Sequence, residues 1–221
     1  MEGQAQAPRF EPRWPVALTI LAVFVLLEGM PARVRVFPSW FTYIIAAVVL
    51  APLAAVTLAS DKARWHRVEH TVLLLFCVFF GIGTVSNLAT LIGAILHASG
   101  RISGLQLLAS SISVWVANVF VFSLLYWLID RGGPGPRACE AAPRPDFLFP
   151  QAGASPEDVP PGWRPMFLDY LYLGFTTATA FSTTDVMPLS SRAKLAMMLE
   201  SSISLATIVV VASRAINILG N

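Results

Sequence analysis

Residues 169–190 read DYLYLGFTTATAFSTTDVMPLS and lie between two long apolar segments. The first half is apolar and aromatic and predicts one or two turns of helix. That is too short to cross a bilayer, since a span needs about 20 apolar residues. The second half is rich in hydroxyl side chains and ends in Asp185 and Pro188. Backbone that leaves helical geometry at membrane depth must be buried in protein or line a water-filled cavity. The stretch therefore predicts a short helix followed by polar backbone, an arrangement suited to a pore or a binding site.

The order of residues in this stretch is shared with a known family. The pattern F-T-T-x-T-x-x-x-x-x-D-x-x-P is formed by Phe175, Thr176, Thr177, Thr179, Asp185 and Pro188. It resembles the pore helix, filter and filter exit of tetrameric potassium channels, and the residues from 191 to 200 resemble the start of their pore-lining inner helix. The similarity covers about 168–217, under a quarter of the chain. It implies a homotetramer that conducts monovalent cations, K⁺ or Na⁺, passively through a pore loop.

The resemblance implies a set of ion-conduction or filter residues, which are Thr179, Ala180, Phe181, Ser182, Thr183, Thr184 and Asp185. Where the family reads T-V-G-Y-G, positions 180–184 read A-F-S-T-T and lack both glycines. Glycine permits the left-handed backbone that aims successive carbonyl groups at an ion. A serine or threonine in that conformation costs roughly 1–2 kcal/mol. We therefore expect hydroxyl groups, or a wider and hydrated site, to coordinate any ion that passes.

The composition is that of an integral membrane protein. Of 221 residues, 56% are hydrophobic and 13% are charged, and the mean hydropathy is +0.67. The net charge of +2 is too small to indicate a nucleic-acid partner. The two cysteines, Cys77 and Cys139, do not indicate a disulfide framework. We expect the chain to lie in a bacterial inner (plasma) membrane with lipid around it.

The hydrophobic pattern predicts an all-α fold of about five transmembrane helices, with a re-entrant pore-helix loop between the last two. Residues 1–13 are predicted to be a disordered tail. Residues 14–100 are predicted to form three transmembrane helices, of which the first is an uncleaved span and not a signal peptide. The channel-like pore module comprises a helix at 105–129, a loop at 130–165, the re-entrant pore helix and filter at 166–190, and the inner helix at 191–219. Few residues follow the inner helix, so no cytosolic ligand-binding domain is expected there.

Two residues of the inner helix, Glu200 and Ser204, are the candidate pore-lining or gating residues. An ionisable side chain within a span faces the protein interior or water. Glu200 therefore either pairs with Arg192 or Lys194 or contributes to the pore.

The distribution of basic residues conflicts with the potassium-channel topology. With five spans and a cytoplasmic N-terminus, eleven of the fifteen Lys and Arg residues lie on the cytoplasmic side: Arg9, Arg13, Lys62, Arg64, Arg67, Arg131, Arg137, Arg144, Arg164, Arg192 and Lys194. That arrangement also places the re-entrant loop on the cytoplasmic side, the reverse of a potassium channel. Long loops count less in this rule, and a missed span would change the result.

Two functions remain open from the sequence. The first is a homotetrameric cation channel, and the alternative is a non-conducting membrane protein in which the pore-like loop has a structural or interaction role. A transporter has little support because no inverted repeat is visible. No enzyme is expected, since no nucleophile and base have a recognisable spacing. We expect no cofactor, and no metal beyond transient permeant cations.

Overall fold

The computed structural model describes residues 11–29, 39–58, 62–96, 104–137, 142–160, 162–180 and 185–219. These residues are mostly helical. The helices are α1 (Trp14–Glu28), α2 (Ser39–Leu58), α3 (Lys62–Leu96), α4 (Gly104–Ile129), α5 (Pro134–Arg137), α6 (Phe167–Ala180) and α7 (Ser191–Leu219). Between α4 and α7 lie two 3₁₀ turns, Asp130–Gly132 and Pro150–Gly153, and two short strands, β1 (Phe147–Leu148) and β2 (Met187–Pro188). The strands pair antiparallel, with Phe147 opposite Pro188.

Three helical segments are long and apolar enough to cross a membrane: Arg64–Thr90 in α3, Leu108–Gly132 beginning in α4, and Ser191–Ala212 in α7. Two further helices, α1 and the segment Tyr43–Leu58 of α2, are apolar but shorter. The architecture is therefore that of an all-α membrane protein with three candidate spans.

Helix α4 lies at the centre of the bundle. About 61% of its apolar segment is buried, compared with 39% for α3 and 33% for α7. It packs against α1, α3, α6 and α7. Helix α1 also contacts α3, where Phe24 meets Phe80 edge to face at 5.5 Å and Phe76 at 5.8 Å. The interior position of α4 explains why Ser110, Ser111, Ser123 and Asn118 are buried.

Five helix ends meet at one end of the bundle, which we call the loop end. Arg13, just before α1, pairs with Glu69 in the third turn of α3 at 2.8 Å. Glu11 accepts hydrogen bonds from the indole of Trp127, near the end of α4, and from the backbone N–H of Phe167, the first residue of α6. The start of α7 joins them, because Arg192 donates to the backbone carbonyl of Ile129 at 3.0 Å.

The structure corrects three expectations from the sequence. Residues 11–13 were assigned to a disordered tail, yet Glu11 and Arg13 contact α3, α4 and α6. Tyr126 and Trp127 come near the end of the helix predicted at 105–129, a position typical of an aromatic belt at the membrane interface. Both side chains are instead fully buried, and Glu200 and Glu11 accept hydrogen bonds from their polar atoms. The hydrophobic pattern predicts the third span at about 70–97, after a basic connection at 61–69, but the third helix begins at Lys62.

A fourth correction concerns the helix of the opening stretch. The run of hydroxyls was expected to leave helical geometry, but α6 continues through it to Ala180. Thr176 and Thr179 donate hydrogen bonds to the carbonyls of Tyr172 and Phe175, four residues earlier, at 2.9 and 2.8 Å. Threonine hydroxyls that bond back in this way are accommodated within a helix. The helix therefore has 14 residues, against the one or two turns that were expected.

Candidate functional site

Helix α6 crosses α4 at Gly174, where the two helices approach very closely. A Cβ atom added at Gly174 would lie 2.3 Å from Ser123 Oγ and 3.2 Å from the backbone carbonyl of Val119. It would also lie 3.4 Å from Glu200 Oε1 of α7. The Ser123 hydroxyl is directed along α4, where it donates to the Val119 carbonyl at 2.7 Å. Only glycine therefore fits at the point where α4, α6 and α7 meet.

Beside this crossing lies a buried group of polar side chains, which we call the Glu200 cluster: Asn118, Tyr126, Thr177, Glu200 and Ser204. All five are buried. Asn118 donates through Nδ2 to Ser204 Oγ at 3.0 Å and to the backbone carbonyl of Glu200 at 3.2 Å. Tyr126 donates its hydroxyl to Glu200 Oε2. The cluster therefore ties α4 to α7 directly behind α6.

Three oxygen atoms of the Glu200 cluster are buried and have no hydrogen-bond partner: Glu200 Oε1, Asn118 Oδ1 and Thr177 Oγ1. The backbone of Thr177 does reach α7, because its carbonyl accepts a hydrogen bond from Ser201 at 3.4 Å. Buried polar atoms in native proteins are nearly always satisfied, and exceptions mark sites of strain, chemistry or bound water. This cluster is accordingly the most unusual polar site among the described residues of the three helices.

A second polar network holds the loop end together, and we call it the Asp130 network: Asp130, Arg137, Asp146, Tyr170 and Arg192. Asp130 is buried, and it accepts hydrogen bonds from the Asp146 backbone N–H at 2.8 Å and from the Tyr170 hydroxyl at 2.5 Å. Arg192 donates to both carboxylate oxygens of Asp146, at 2.6 and 2.5 Å. The guanidinium of Arg137 lies over the Tyr170 ring, 4.9 Å from its centroid. These contacts fix the starts of α6 and α7 and the loop before them to the end of α4.

Charge in the loop is stabilised by these partners. Burial by itself would raise the pKa of Asp146, but the hydrogen bonds from Arg192 and its positive charge outweigh that effect and hold the pKa below its ordinary value. In the first turn of α6, burial raises the pKa of Asp169 even though the backbone N–H of Met166 donates to its carboxylate. Asp146 is therefore the carboxylate whose ionised form the loop favours.

The turn after α4 needs glycine for a specific reason. Gly133 has a φ of +97°, a backbone conformation that L side chains rarely adopt. A Cβ there would lie 2.9 Å from His70 Cδ2 and 3.2 Å from the carbonyl of Leu128. The same imidazole reaches that carbonyl, with Nε2 at 3.3 Å. The chain can therefore leave α4 across the face of α3 only with glycine at this position.

The structure separates the residues that the sequence grouped as a filter. Thr179 and Ala180 are exposed in the last turn of α6, and Asp185 is exposed after it. The remaining four, Phe181, Ser182, Thr183 and Thr184, lie outside the described residues. A groove of about 400 Å³ beside Asp185 is also lined by Phe149, Asp169 and Tyr172. Among the described residues, no three His, Cys, Asp or Glu side chains are grouped so that they could hold a metal ion.

The two candidate pore residues of α7 are both inside the protein. Glu200 and Ser204 are fully buried against α4. Glu200 pairs with neither of the basic residues that the sequence offered, because Arg192 is bound to Asp146 and Tyr126 contacts the Glu200 carboxyl instead. Sequence reasoning missed Tyr126 as its partner. The available signal was the position of Tyr126, two turns from Asn118 on α4, which places both on one helix face.

Comparison with known proteins gives no relative: no family model, no curated protein and no solved structure matches this chain. Clues to the function therefore come from the residues themselves and from their geometry.

Proposed function

We propose that this chain is one subunit of a homo-oligomeric membrane protein, a tetramer by its resemblance to potassium channels, that conducts monovalent cations. The conduction unit comprises α4, α6, residues 181–190 and α7, with residues 166–190 as a re-entrant loop. Five apolar helices cross the membrane, the shorter α1 and α2 among them. A helical protein of this kind belongs in an inner or plasma membrane, since outer-membrane proteins of bacteria are β-barrels.

The observation that carries the proposal is that α6 and α7 both begin at the loop end. Phe167, the first residue of α6, bonds to Glu11, and Arg192, the second residue of α7, bonds to Asp146. Between them, β2 pairs with β1 of the preceding loop. Helix α6 has 14 residues and is about 21 Å long, which is less than the hydrocarbon thickness of about 30 Å. A half-helix that enters and a chain that returns to the same end make a re-entrant element.

Conduction through such an element requires several copies of the chain. Each chain supplies one re-entrant element, and copies arranged around an axis would enclose a path between them. The hydroxyls and backbone groups of 181–184 need water or ions as partners if they lie at membrane depth. Asp185 follows them, and its exposed carboxylate would attract cations at the mouth. Monovalent cations are therefore the ligand that best suits this segment.

The burial pattern identifies the face that would line the path. Because Glu200 and Ser204 are enclosed within one chain, we assign the pore-facing role to the exposed side of α6 and α7. On α6 that side carries Thr179, and on α7 it carries Ser202 among exposed apolar residues such as Met198 and Leu205. This face is therefore mostly apolar and carries few hydroxyl groups.

The alternative function is a non-conducting membrane protein in which the loop is a structural or interaction element. Its support is the absence of glycine at positions 180–184, which disfavours the carbonyl geometry of a selective filter. Under this alternative, substitutions at 181–184 change stability or partner binding and leave ion flux at zero.

Ion flux from liposomes that contain the purified protein tests the proposal. We expect flux of K⁺ or Na⁺, and we expect Thr183→Trp to reduce it to the level of protein-free liposomes because the indole would fill the path. The matched control is Thr57→Trp on the exposed face of α2, which should leave flux unchanged. Intact oligomers without flux, or equal flux from both variants, would contradict the proposal.

A further inference from the structure

The carboxyl group of Glu200 is isolated from positive charge. It lies nine residues into α7, about 14 Å from the helix start, and it is fully buried. The basic residues nearest to it along α7 are Arg192, which is bound to Asp146, and Lys194, which is exposed. A buried carboxylate without a cation is strongly disfavoured, and the group then takes up a proton instead.

Among the residues that the structure describes, no cation from the other helices packed against α7 contacts Glu200. From α4 the titratable group that reaches it is Tyr126. Residues 171–180 of α6 contain no charged residue, and Tyr172 lies on the exposed face. Helix α3 also contacts α7. Cys77 of α3 is buried in the core. At the loop end, Glu69 of α3 pairs with Arg13 and with His66, and His70 contacts the backbone carbonyl of Leu128.

The two oxygens of the Glu200 carboxyl have different environments. Tyr126 donates to Oε2, whereas Oε1 is buried without a hydrogen-bond partner. Oε1 also faces Gly174, at 3.4 Å from the position that a Cβ would take. Leaving one oxygen of a buried, ionised carboxylate without a donor costs more free energy than leaving one oxygen of a neutral carboxylic acid unpaired. This environment therefore favours the neutral acid.

We propose that Glu200 is a proton-binding site inside the bundle, and that the bound proton holds α6 against α4 and α7. The ligand is a single proton, exchanged with solvent, and no covalent or redox step is involved. When the proton leaves, the charged Oε1 requires water, and water can reach it only if α6 moves away at Gly174. The proton-bound form is the packed form shown here, and release of the proton loosens α6. This inference does not depend on conduction, so its test and the flux test can fail separately.

Infrared spectroscopy of the purified protein at neutral pH tests the proton directly. We expect a carbonyl band of a buried, protonated carboxylic acid that shifts when glutamate is labelled with ¹³C and that is absent from Glu200→Gln. The band should persist in Asp185→Asn, which removes an exposed carboxyl. A wild-type spectrum without a ¹³C-glutamate-sensitive band of this kind would overturn the proposal, even if the Gln variant failed to fold.

Thermal unfolding as a function of pH tests the coupling to α6. Unfolding exposes Glu200, which then releases its proton at any pH above the ordinary carboxyl pKa of about 4. The wild-type protein should therefore lose stability as the pH rises from about 4 through neutral, with the slope expected for one proton released on unfolding, and Glu200→Gln should lack that slope because its amide does not ionise. The same slope in both proteins would overturn the proposal. So would a wild-type band that disappears on addition of Na⁺, since that would identify a metal cation, and not a proton, as the ligand.

Discussion

The helix crossing at Gly174 offers a direct test of how α6 is held. In Gly174→Ala the new methyl group would lie 2.3 Å from Ser123 Oγ and 3.2 Å from the Val119 carbonyl. The serine can turn away only by giving up its hydrogen bond to that carbonyl, and the carbonyl is backbone and cannot move alone. We therefore expect a packing penalty of about 3 kcal/mol, at the upper end of the usual range for overpacking.

A matched glycine isolates this penalty from the intrinsic preference for alanine in helices. Alanine is favoured over glycine by up to about 1 kcal/mol in a helix interior, so the net loss in Gly174→Ala should be about 2 kcal/mol. Gly81 of α3 has no atom within 4 Å of its Cβ position, and Gly81→Ala should be neutral or slightly stabilising. The free energies of unfolding of the two variants should therefore differ by about 3 kcal/mol, which is the packing penalty itself.

The assay is unfolding in mixed detergent micelles with increasing SDS, followed by the reactivity of Cys77. That thiol is buried and free, so it reacts only when the bundle opens, and a Cys139→Ser background makes it the single reporter. Adding Ser123→Ala to Gly174→Ala removes the closest contact and should restore about 1–2 kcal/mol. The reasoning is refuted if Gly174→Ala is as stable as Gly81→Ala, or if Ser123→Ala gives no recovery.

Two further predictions concern the loop end. Because the pKa of Asp146 is lowered, its ionised form stabilises the fold above the ordinary carboxyl pKa, and this contribution is lost as the pH falls below about 4. The melting temperature of the wild type should therefore drop below that pH. Asp146→Asn should be less stable than the wild type at neutral pH, and its melting temperature should change less as the pH falls. Cys139 is two residues after Arg137 in the sequence, and the positive-inside rule predicts that this segment is cytoplasmic. A membrane-impermeant maleimide should therefore label Cys139 from the cytoplasmic side of sealed vesicles, and labelling from the opposite side would contradict that prediction.

Helix positions could be predicted from the sequence because long apolar runs have few alternatives. The helix expected at 105–129 corresponds to α4 (Gly104–Ile129), and the last helix is Ser191–Leu219. The start of α3 was missed because 62–69 is basic and was taken for a connection, although Arg13 and His66 pair there with Glu69. Helix limits in polar sequence depend on partners from other parts of the chain, which periodicity does not reveal.

The polar sites were harder to predict, for a related reason. Glu200 was recognised from its ionisable group in an apolar helix, but its partner Tyr126 is 74 residues away in the chain. Asp130 and Asp146 gave no signal, because a carboxylate at the end of a span is expected to be solvated. Their burial depends on Tyr170 of α6 and Arg192 of α7, so the four residues come together from four separate segments of the chain. Charge pairing across such distances has no local pattern to read.

The contacts at the loop end sharpen the conflict over orientation. Because Glu11 reaches Arg137 at 3.5 Å and Arg13 reaches Glu69 at 2.8 Å, the start of α1 lies on the same side as the 130–165 loop. That side also carries Arg64, Arg67, Arg131 and Arg192, and the positive-inside rule predicts that it is cytoplasmic. A missed span among the first three can no longer reverse the loop relative to the N-terminus. The proposed pore loop therefore enters from the cytoplasm. A cation that moves outward would meet Asp185 before the rest of the pathway. A blocker of this mouth should accordingly act from the cytoplasmic side.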